Sequence, residues 1–251
     1  MCIIIIFNGC KYTKQKQAFV FILVVKNKND MRILVVAATQ PEVEPLITAL
    51  SMQKSEDEPN LFVTRHASIA NCSVLITGAG MVPTAFALAR HLPHNVYHLV
   101  INLGIAGSFD RSIALGDILE ITEDTFAELG AEDDKKFISI EKLGFGASIF
   151  KPTSSIGHFT KKTRLKTVSA ITVNKVHGNE DSIADIVERL NPQLESMEGA
   201  AFFYACRELK VPCIQIRAVS NYVEKRNRDN WQIGLAVKNL NNFAIDLIKE
   251  L

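Results

Sequence analysis

Strand-length apolar runs alternating with helical patterns constrain this chain more than any other feature. "RILVVAA" (32–38), "CSVLITG" (72–78), "HLVINLGIAG" (98–107) and "PCIQIRAVS" (212–220) are near-continuous apolar runs. Such runs are expected of strands covered on both faces. Between them, "PEVEPLITAL" (41–50), "PTAFALARHL" (83–92), "SIADIVERL" (182–190) and "EGAAFFYACREL" (198–209) carry helical periodicity. Pro41 suits a first helical turn, and residues 231–251 form a long amphipathic terminal helix. "GDILEIT" (116–122) and "SAITVNKV" (169–176) add shorter strands. The more polar stretch from Asp124 to Thr172, with "AEDDKK" and "KKTRLK", is expected to form loops and edge strands. This order predicts an α/β fold: a single domain over 31–251 with a mixed, mostly parallel central sheet flanked by helices.

Residues 1–30 stand apart from that pattern. Their two apolar bursts are separated by "KYTKQKQ", and each is well short of the ~20 residues a membrane-spanning helix needs. Neither the charge order nor the cleavage site of a secretory signal is present. Met31 opens "MRILVVAAT" like a natural start, so 1–30 is expected to be a non-native or disordered N-terminal extension, with a membrane anchor as the alternative. With net charge +1 and 22% charged residues, the chain has no electrostatic reason to bind nucleic acid or an anionic membrane. The five cysteines (Cys2, Cys10, Cys72, Cys206 and Cys213) are scattered without a C-x-x-C pair. That spacing points to reduced thiols in the cytoplasm rather than a disulfide framework or zinc site.

In open α/β sheets ligands gather at the carboxyl ends of the strands. Here those ends carry Glu42, then Thr77-Gly78-Ala79-Gly80, then Gly104-Ile105-Ala106-Gly107, and Asn221 with Arg217 just inside it. Each glycine stretch is a weak signal, and a plain tight turn explains either one alone. "GAGMVP" lacks the third glycine of a dinucleotide fingerprint, and "GIAG" lacks the Lys-Ser/Thr of a phosphate loop. Together they could floor a site for a flat ligand. His91, His94 and His98 do not suggest a metal site, because Pro93 breaks the helix and the rings should diverge. His91 is better explained by its place at a helix C-terminus. Glu198, in "ESMEGAAFF", has a plain account as a carboxylate favoured by the dipole of the helix it starts. That account leaves Met197, Arg217 and Asn221 unexplained.

The ordered segments "VVAATQPEVEPL", "LITGAG", "VINLGIAGSF…LGDILE", "SMEGAAFFYAC" and "IRAVSNY" resemble the nucleoside phosphorylase/nucleosidase superfamily across 31–251. The resemblance is closest to the methylthioadenosine/S-adenosylhomocysteine nucleosidase branch, and "RAVSNYVEKRNRDNWQI" is similar to the futalosine hydrolases within it. It implies a nucleoside phosphorylase-like fold, a homodimer, no cofactor and no metal. It also implies hydrolysis of futalosine to hypoxanthine and dehypoxanthine futalosine in menaquinone biosynthesis. By the same resemblance Glu42 activates the attacking water, with Arg217 and Thr77 helping to hold it. Met197 and Glu198 hold the ribose, the carboxylate gripping its 2′- and 3′-hydroxyls, while Ala79, Gly80 and Gly104 border base and sugar. His177 lies where the family wraps backbone around the purine, but "VNKVHGNED" departs from the adenine-specific pattern and no residue is assigned there.

Asn221 is the most informative departure, since the adenine-specific enzymes carry an acid at that position. An amide offers one acceptor and one donor group but no acidic proton. Aimed at a 6-oxopurine, its NH₂ can donate to O6 while its carbonyl accepts from a protonated N7. Adenine would leave one of these groups unpaired, which favours hypoxanthine or guanine. Phosphorylases of the superfamily place arginines after the first strand and within the third, whereas this chain has "AATQPEVEP" and Asn102. Water is therefore the better nucleophile. Downstream, "KRNRDNW" is expected to meet the substituent on the 5′ carbon, Trp231 packing on the aryl ring and Arg226 or Arg228 pairing with its carboxylate. A solvated basic loop is the plainer alternative. The competing activities are a purine nucleoside phosphorylase, or a nucleosidase acting on another 6-oxopurine nucleoside or on methylthioadenosine.

Overall fold

A computed structural model describes residues 31–64, 71–160 and 164–251. The expectation for residues 1–30 falls outside the described residues. The chain runs from β1 (Arg32–Ala37) through α1 (Gln40–Ala49) to a small meander of β2 (Gln53–Lys54), β3 (Leu61–Val63) and β4 (Asn71–Ile76). Then come α2 (Met81–His91), β5 (Leu99–Ser108), β6 (Ile118–Phe126), the hairpin β7 (Gly130–Asp133) and β8 (Lys136–Ser139), and β9 (Ile149–Phe150). The last third comprises β10 (Lys166–Thr172), α3 (Glu180–Leu190), β11 (Leu194–Ser196), α4 (Gly199–Glu208), β12 (Cys213–Tyr222) and α5 (Ile233–Glu250).

The period-two geometry of a strand explains how one apolar run serves two cores. On β1, Ile33, Val35 and Ala37 face a core completed by Leu46 of α1 and by Leu240 and Leu247 of α5. Leu34 and Val36 face the opposite core, with Leu88 of α2 and Phe202 and Phe203 of α4. Each such side chain taken fully out of water contributes ~1.5–3 kcal/mol, so both helical layers are held by the same strand.

Among the described residues ten strands form the sheet, in the order β11-β10-β6-β12-β5-β1-β4-β3-β2 with β9 beside β6. Its long pairings are parallel: β1 with β4 and β5, β5 with β12, and β6 with β10. β12 and β6 meet antiparallel, which makes the sheet mixed. It is not open throughout, as the analogy with open sheets assumed. The end of β5 pairs antiparallel with β11, through Leu194–Ser108 and Glu195–Gly107, so five strands close on themselves.

This closure positions the site. β5 follows β1 only as far as the Val36–Asn102 pair and then bends away to β11. Three further expectations change with it. "GIAG" is not a turn, because Gly104 to Gly107 remain inside β5. Asn221 does not follow the last strand but lies within β12, past an irregularity between Val219 and Asn221. The Asp124–Thr172 stretch is not all periphery, since β6 continues to Phe126 and Asp124 is completely buried on it, between β10 and β9.

Candidate active site

Where β5 parts from β1, backbone groups lose their strand partners and side chains take their place. The Ile105 N–H donates to Glu42 Oε1 at 3.2 Å. The other oxygen of Glu42 accepts from the Thr39 N–H at 3.0 Å and the Thr39 hydroxyl at 2.8 Å, as a capping box at the start of α1. Glu42 is therefore fixed by α1 and β5 together, yet it stays partly exposed on a cavity of about 670 Å³. That volume lies in the range of small-molecule sites, ~300–1,000 Å³.

Glu198 stands at the N-terminus of α4, where the dipole favours a carboxylate, but its side chain bonds elsewhere. It is the residue before α4, it makes no side-chain cap bond, and it is 7% exposed. Its Oε1 accepts from the Gly80 N–H at 2.9 Å, while Oε2 lies 4.0 Å from Arg217 Nη2. The start of α4 is served by Thr172, whose hydroxyl accepts from the Ala200 N–H at 2.7 Å. Glu198 thus makes its side-chain bonds away from α4 and lines the cavity beside Met197.

Arg217 is 2% exposed, which is tolerable only because its guanidinium is well supplied with partners. Nη2 donates to Asn102 Oδ1 at 2.6 Å and to Gln215 Oε1 at 2.8 Å, and Nε donates to Gln215 Oε1 at 3.1 Å. Asn102 is tied to β1 in turn, its Nδ2 donating to Val36 O at 3.0 Å. Gln215 Nε2 donates to Asp124 Oδ2 at 2.9 Å, and the Thr172 hydroxyl donates to Asp124 Oδ1 at 2.7 Å. Burial pushes the Asp124 carboxyl up to about 6, against the lowering by those two hydrogen bonds and by Arg217. Gly104 is what lets the guanidinium reach the junction. A Cβ there would stand 2.0 Å from Arg217 Nη1 and 3.2 Å from Glu42 Oε1.

Of the residues singled out from the sequence, Glu42, Ala79, Met197, Glu198, Asn221, Arg226 and Trp231 line one cavity. Arg217, Gly80 and Gly104 stand behind its wall and shape it through Glu198 and Glu42. Thr77 is turned elsewhere. Its hydroxyl donates to Gly78 O at 2.9 Å and meets Thr84 Oγ1 at 3.3 Å, and Thr77 is not among the residues lining the cavity. Asn221 Oδ1 accepts from the Ser220 hydroxyl at 2.8 Å, and its Nδ2 donates to Tyr222 O at 3.0 Å. The Arg226 and Arg228 guanidinium carbons lie 5.2 and 5.8 Å from the Trp231 ring centroid, but Arg228 is not among the lining residues. His91 and His98 turn apart: His91 meets Glu58 and Tyr97, and His98 Nδ1 accepts from the Arg32 N–H. Among the described residues no group of three or more His, Cys, Asp or Glu could hold a metal ion.

Sequence reasoning passed over Gln215, Asp124 and Glu195. Gln215 was discoverable, since it sits two residues before Arg217 in an otherwise apolar strand and must share its face. Asp124 and Glu195 gave no such signal, because their burial comes from the closure of the sheet.

A model of the phosphorylase superfamily matches residues 32–250. The chain belongs to the phosphorylase superfamily. Among its relatives, the futalosine hydrolase of Streptomyces coelicolor is 30% identical over 215 residues, covering 82% of this chain and 91% of that protein. A 5′-methylthioadenosine/S-adenosylhomocysteine nucleosidase of Colwellia psychrerythraea is 26% identical over 241 residues, covering 88% and 97%. The native structure of futalosine hydrolase of Helicobacter pylori superposes with a TM-score of 0.75 at 16% identity, covering 88% of this chain and 98% of that one. The superfamily fold therefore accounts for the mixed sheet and its helical layers.

Proposed function

We propose that this superfamily member is a nucleosidase that hydrolyses the N-glycosidic bond of futalosine, giving hypoxanthine and dehypoxanthine futalosine. The observation that carries the reading is one cavity holding Glu42, Glu198 and Asn221 together with Arg226 and Trp231. Its kinship with the Streptomyces enzyme supports the same substrate.

In the proposed reaction Glu42 takes a proton from a water molecule as the C1′–O bond forms. The C1′–N9 bond breaks, its electron pair leaves with the purine, and the base takes one proton from solvent, balanced by the proton that Glu42 accepts and then returns to solvent. Glu198 receives the ribose hydroxyls and Met197 packs against the sugar. Arg217 acts through Glu198 and the Glu42 junction rather than by direct contact. Asn221 hydrogen-bonds the leaving base at O6 and N7, which stabilises charge by groups positioned in advance. At the far end Arg226 pairs with the substrate carboxylate and Trp231 packs on its aryl ring. The buried network also favours water over phosphate as nucleophile. Arg217 already commits donors to Asn102 and Gln215, and Asn102 carries no charge.

We place this activity in menaquinone biosynthesis in the cytoplasm, a setting that suits the free thiols of Cys72, Cys206 and Cys213. Among the described residues no helix is long and apolar enough to cross a membrane. A homodimer is the proposed assembly, supported by Val82 and Phe86 of α2, which leave 77% and 66% of their surface exposed.

The test is an assay of base release from futalosine, inosine and methylthioadenosine, with and without phosphate. Hypoxanthine from futalosine without phosphate is expected. Adenine from methylthioadenosine alone would assign the activity of the Colwellia relative instead, and phosphate dependence would assign a phosphorylase.

A further inference from the structure

Three strands set three residues abreast at the closure of the sheet. Glu195 of β11 and Asn221 of β12 are both in register with Gly107 of β5, one from each side. The absent side chain of Gly107 lets them lean over the same spot. A Cβ there would stand 3.3 Å from Asn221 Nδ2 and 3.5 Å from Glu195 Cγ. Both residues line the cavity, and so does His177.

Glu195 is 4% exposed, and His177 reaches its carboxylate through both ring and backbone. Oε2 meets His177 Nδ1 at 2.7 Å, while the His177 N–H donates to Oε1 at 3.1 Å and, more weakly, to Oε2 at 3.4 Å. Each carboxylate oxygen has two lone pairs, so the carboxylate keeps acceptor capacity beyond the His177 bonds, and Glu195 lines the cavity. Phe109 stands edge-on to the His177 ring at 6.0 Å and helps fix it. A plain clamp between the 173–179 segment and β11 would explain the His177 bonds. It would not explain why a buried carboxylate, rather than a neutral acceptor, faces the cavity next to Asn221.

We propose that Glu195 is a specificity-determining residue that accepts the N1–H of a 6-oxopurine, with His177 as its positioning residue. The inference rests on the nucleosidase reading above and deepens it. Hypoxanthine and guanine carry a hydrogen on N1, whereas adenine presents a lone pair there. The Asn221 amide is held in one orientation, its Nδ2 donating to Tyr222 O and its Oδ1 accepting from the Ser220 hydroxyl, yet any amide offers a donor as well as an acceptor. An ionised carboxylate has no donor to offer, so it refuses adenine in either orientation. Glu195 therefore supplies the part of the discrimination that Asn221 cannot enforce alone.

The experiment compares kcat/KM for futalosine and for its 6-amino counterpart in the wild type, in Glu195→Gln and in His177→Ala. Glu195→Gln is expected to lower the preference for the 6-oxo substrate by roughly tenfold, because a neutral amide oxygen accepts N1–H less strongly than a carboxylate. His177→Ala is expected to raise KM for futalosine about tenfold with kcat little changed. Equal losses on both substrates in Glu195→Gln, with the preference intact, would make the residue a clamp and overturn the proposal. Should either variant fail to fold, ¹⁵N-labelled hypoxanthine bound to the wild type provides the answer. Its N1 proton should move downfield and show a contact with the His177 ring, and an unshifted proton overturns the proposal. A wild type that releases no base from futalosine would instead defeat the reading on which this one rests, an outcome visible before any variant is made.

Discussion

The two ends of the cavity are built on opposite principles. At the inner end Arg217, Glu198, Asn102, Gln215 and Asp124 are all buried and joined by short contacts from β5, β6, β12 and the start of α4. At the outer end Arg226 and Arg228 are exposed and lie over Trp231, and Arg111 pairs with Glu224 at the surface. A buried charge that loses its partner costs several kcal/mol, so the inner groups hold one another in a single arrangement. An exposed cation over an indole gains ~0.5–1 kcal/mol and remains free to move. The contrast suits a site whose inner end performs unchanging chemistry on the sugar while its outer end adapts to a substituent.

The sharpest way to break that comparison is Glu42→Gln, which keeps the size of the side chain and removes the base. Its NH₂ must face one of the two backbone donors, Thr39 N–H or Ile105 N–H. A loss of about 10²- to 10⁴-fold in kcat is expected, with KM for futalosine nearly unchanged, measured by steady-state release of hypoxanthine. Full activity would remove Glu42 from the chemistry and leave it a helix cap.

A second prediction concerns the rigidity of the inner end. Because burial raises the Asp124 carboxyl from its usual 3.8 to about 6, the folded protein holds that proton more tightly than the unfolded chain does. The stabilisation from this proton is complete below about pH 4 and is lost as pH rises through about 6. Raising a carboxyl that far corresponds to about 3 kcal/mol. Asp124→Asn should therefore gain stability relative to the wild type by about that amount between pH 4 and pH 8, measured by urea unfolding. A difference that does not vary with pH would mean that Asp124 titrates normally and that the network is looser than its distances imply.

The smallest effect belongs to the outer end. Arg226→Ala and Trp231→Ala are each expected to raise KM for futalosine about tenfold, leaving inosine hydrolysis and thermal stability nearly unchanged. Arg228→Ala should do less, since Arg228 does not line the cavity. Equal effects of the two arginines would mean that the substrate carboxylate is met by a diffuse basic surface.

The strands and helices were legible because each is long and apolar on a regular period. β1, β4, β5 and β12 lie where "RILVVAA", "CSVLITG", "HLVINLGIAG" and "PCIQIRAVS" place them, with ends shifted by a residue or two. β11 escaped notice because Leu194–Ser196 is too short to show a period. Glu42, Glu198 and Asn221 could be singled out as polar residues beside apolar strands, and they do share a cavity. Thr77 could not be judged in the same way, since the direction of its hydroxyl depends on Thr84 and on the turn at Gly78.

Local pattern was thus enough for the long strands and helices, their layers and the presence of an acid at the mouth of α4. Whether that acid served its own helix could not be read locally, because its partners are Gly80 and Arg217, far away in the chain. The pairing of β11 with the bent end of β5 made a further decision of this kind. It brought Glu195 beside Asn221 across Gly107. Closing the sheet removed water from Asp124 and Arg217, and a charge without water must find its partners within the fold.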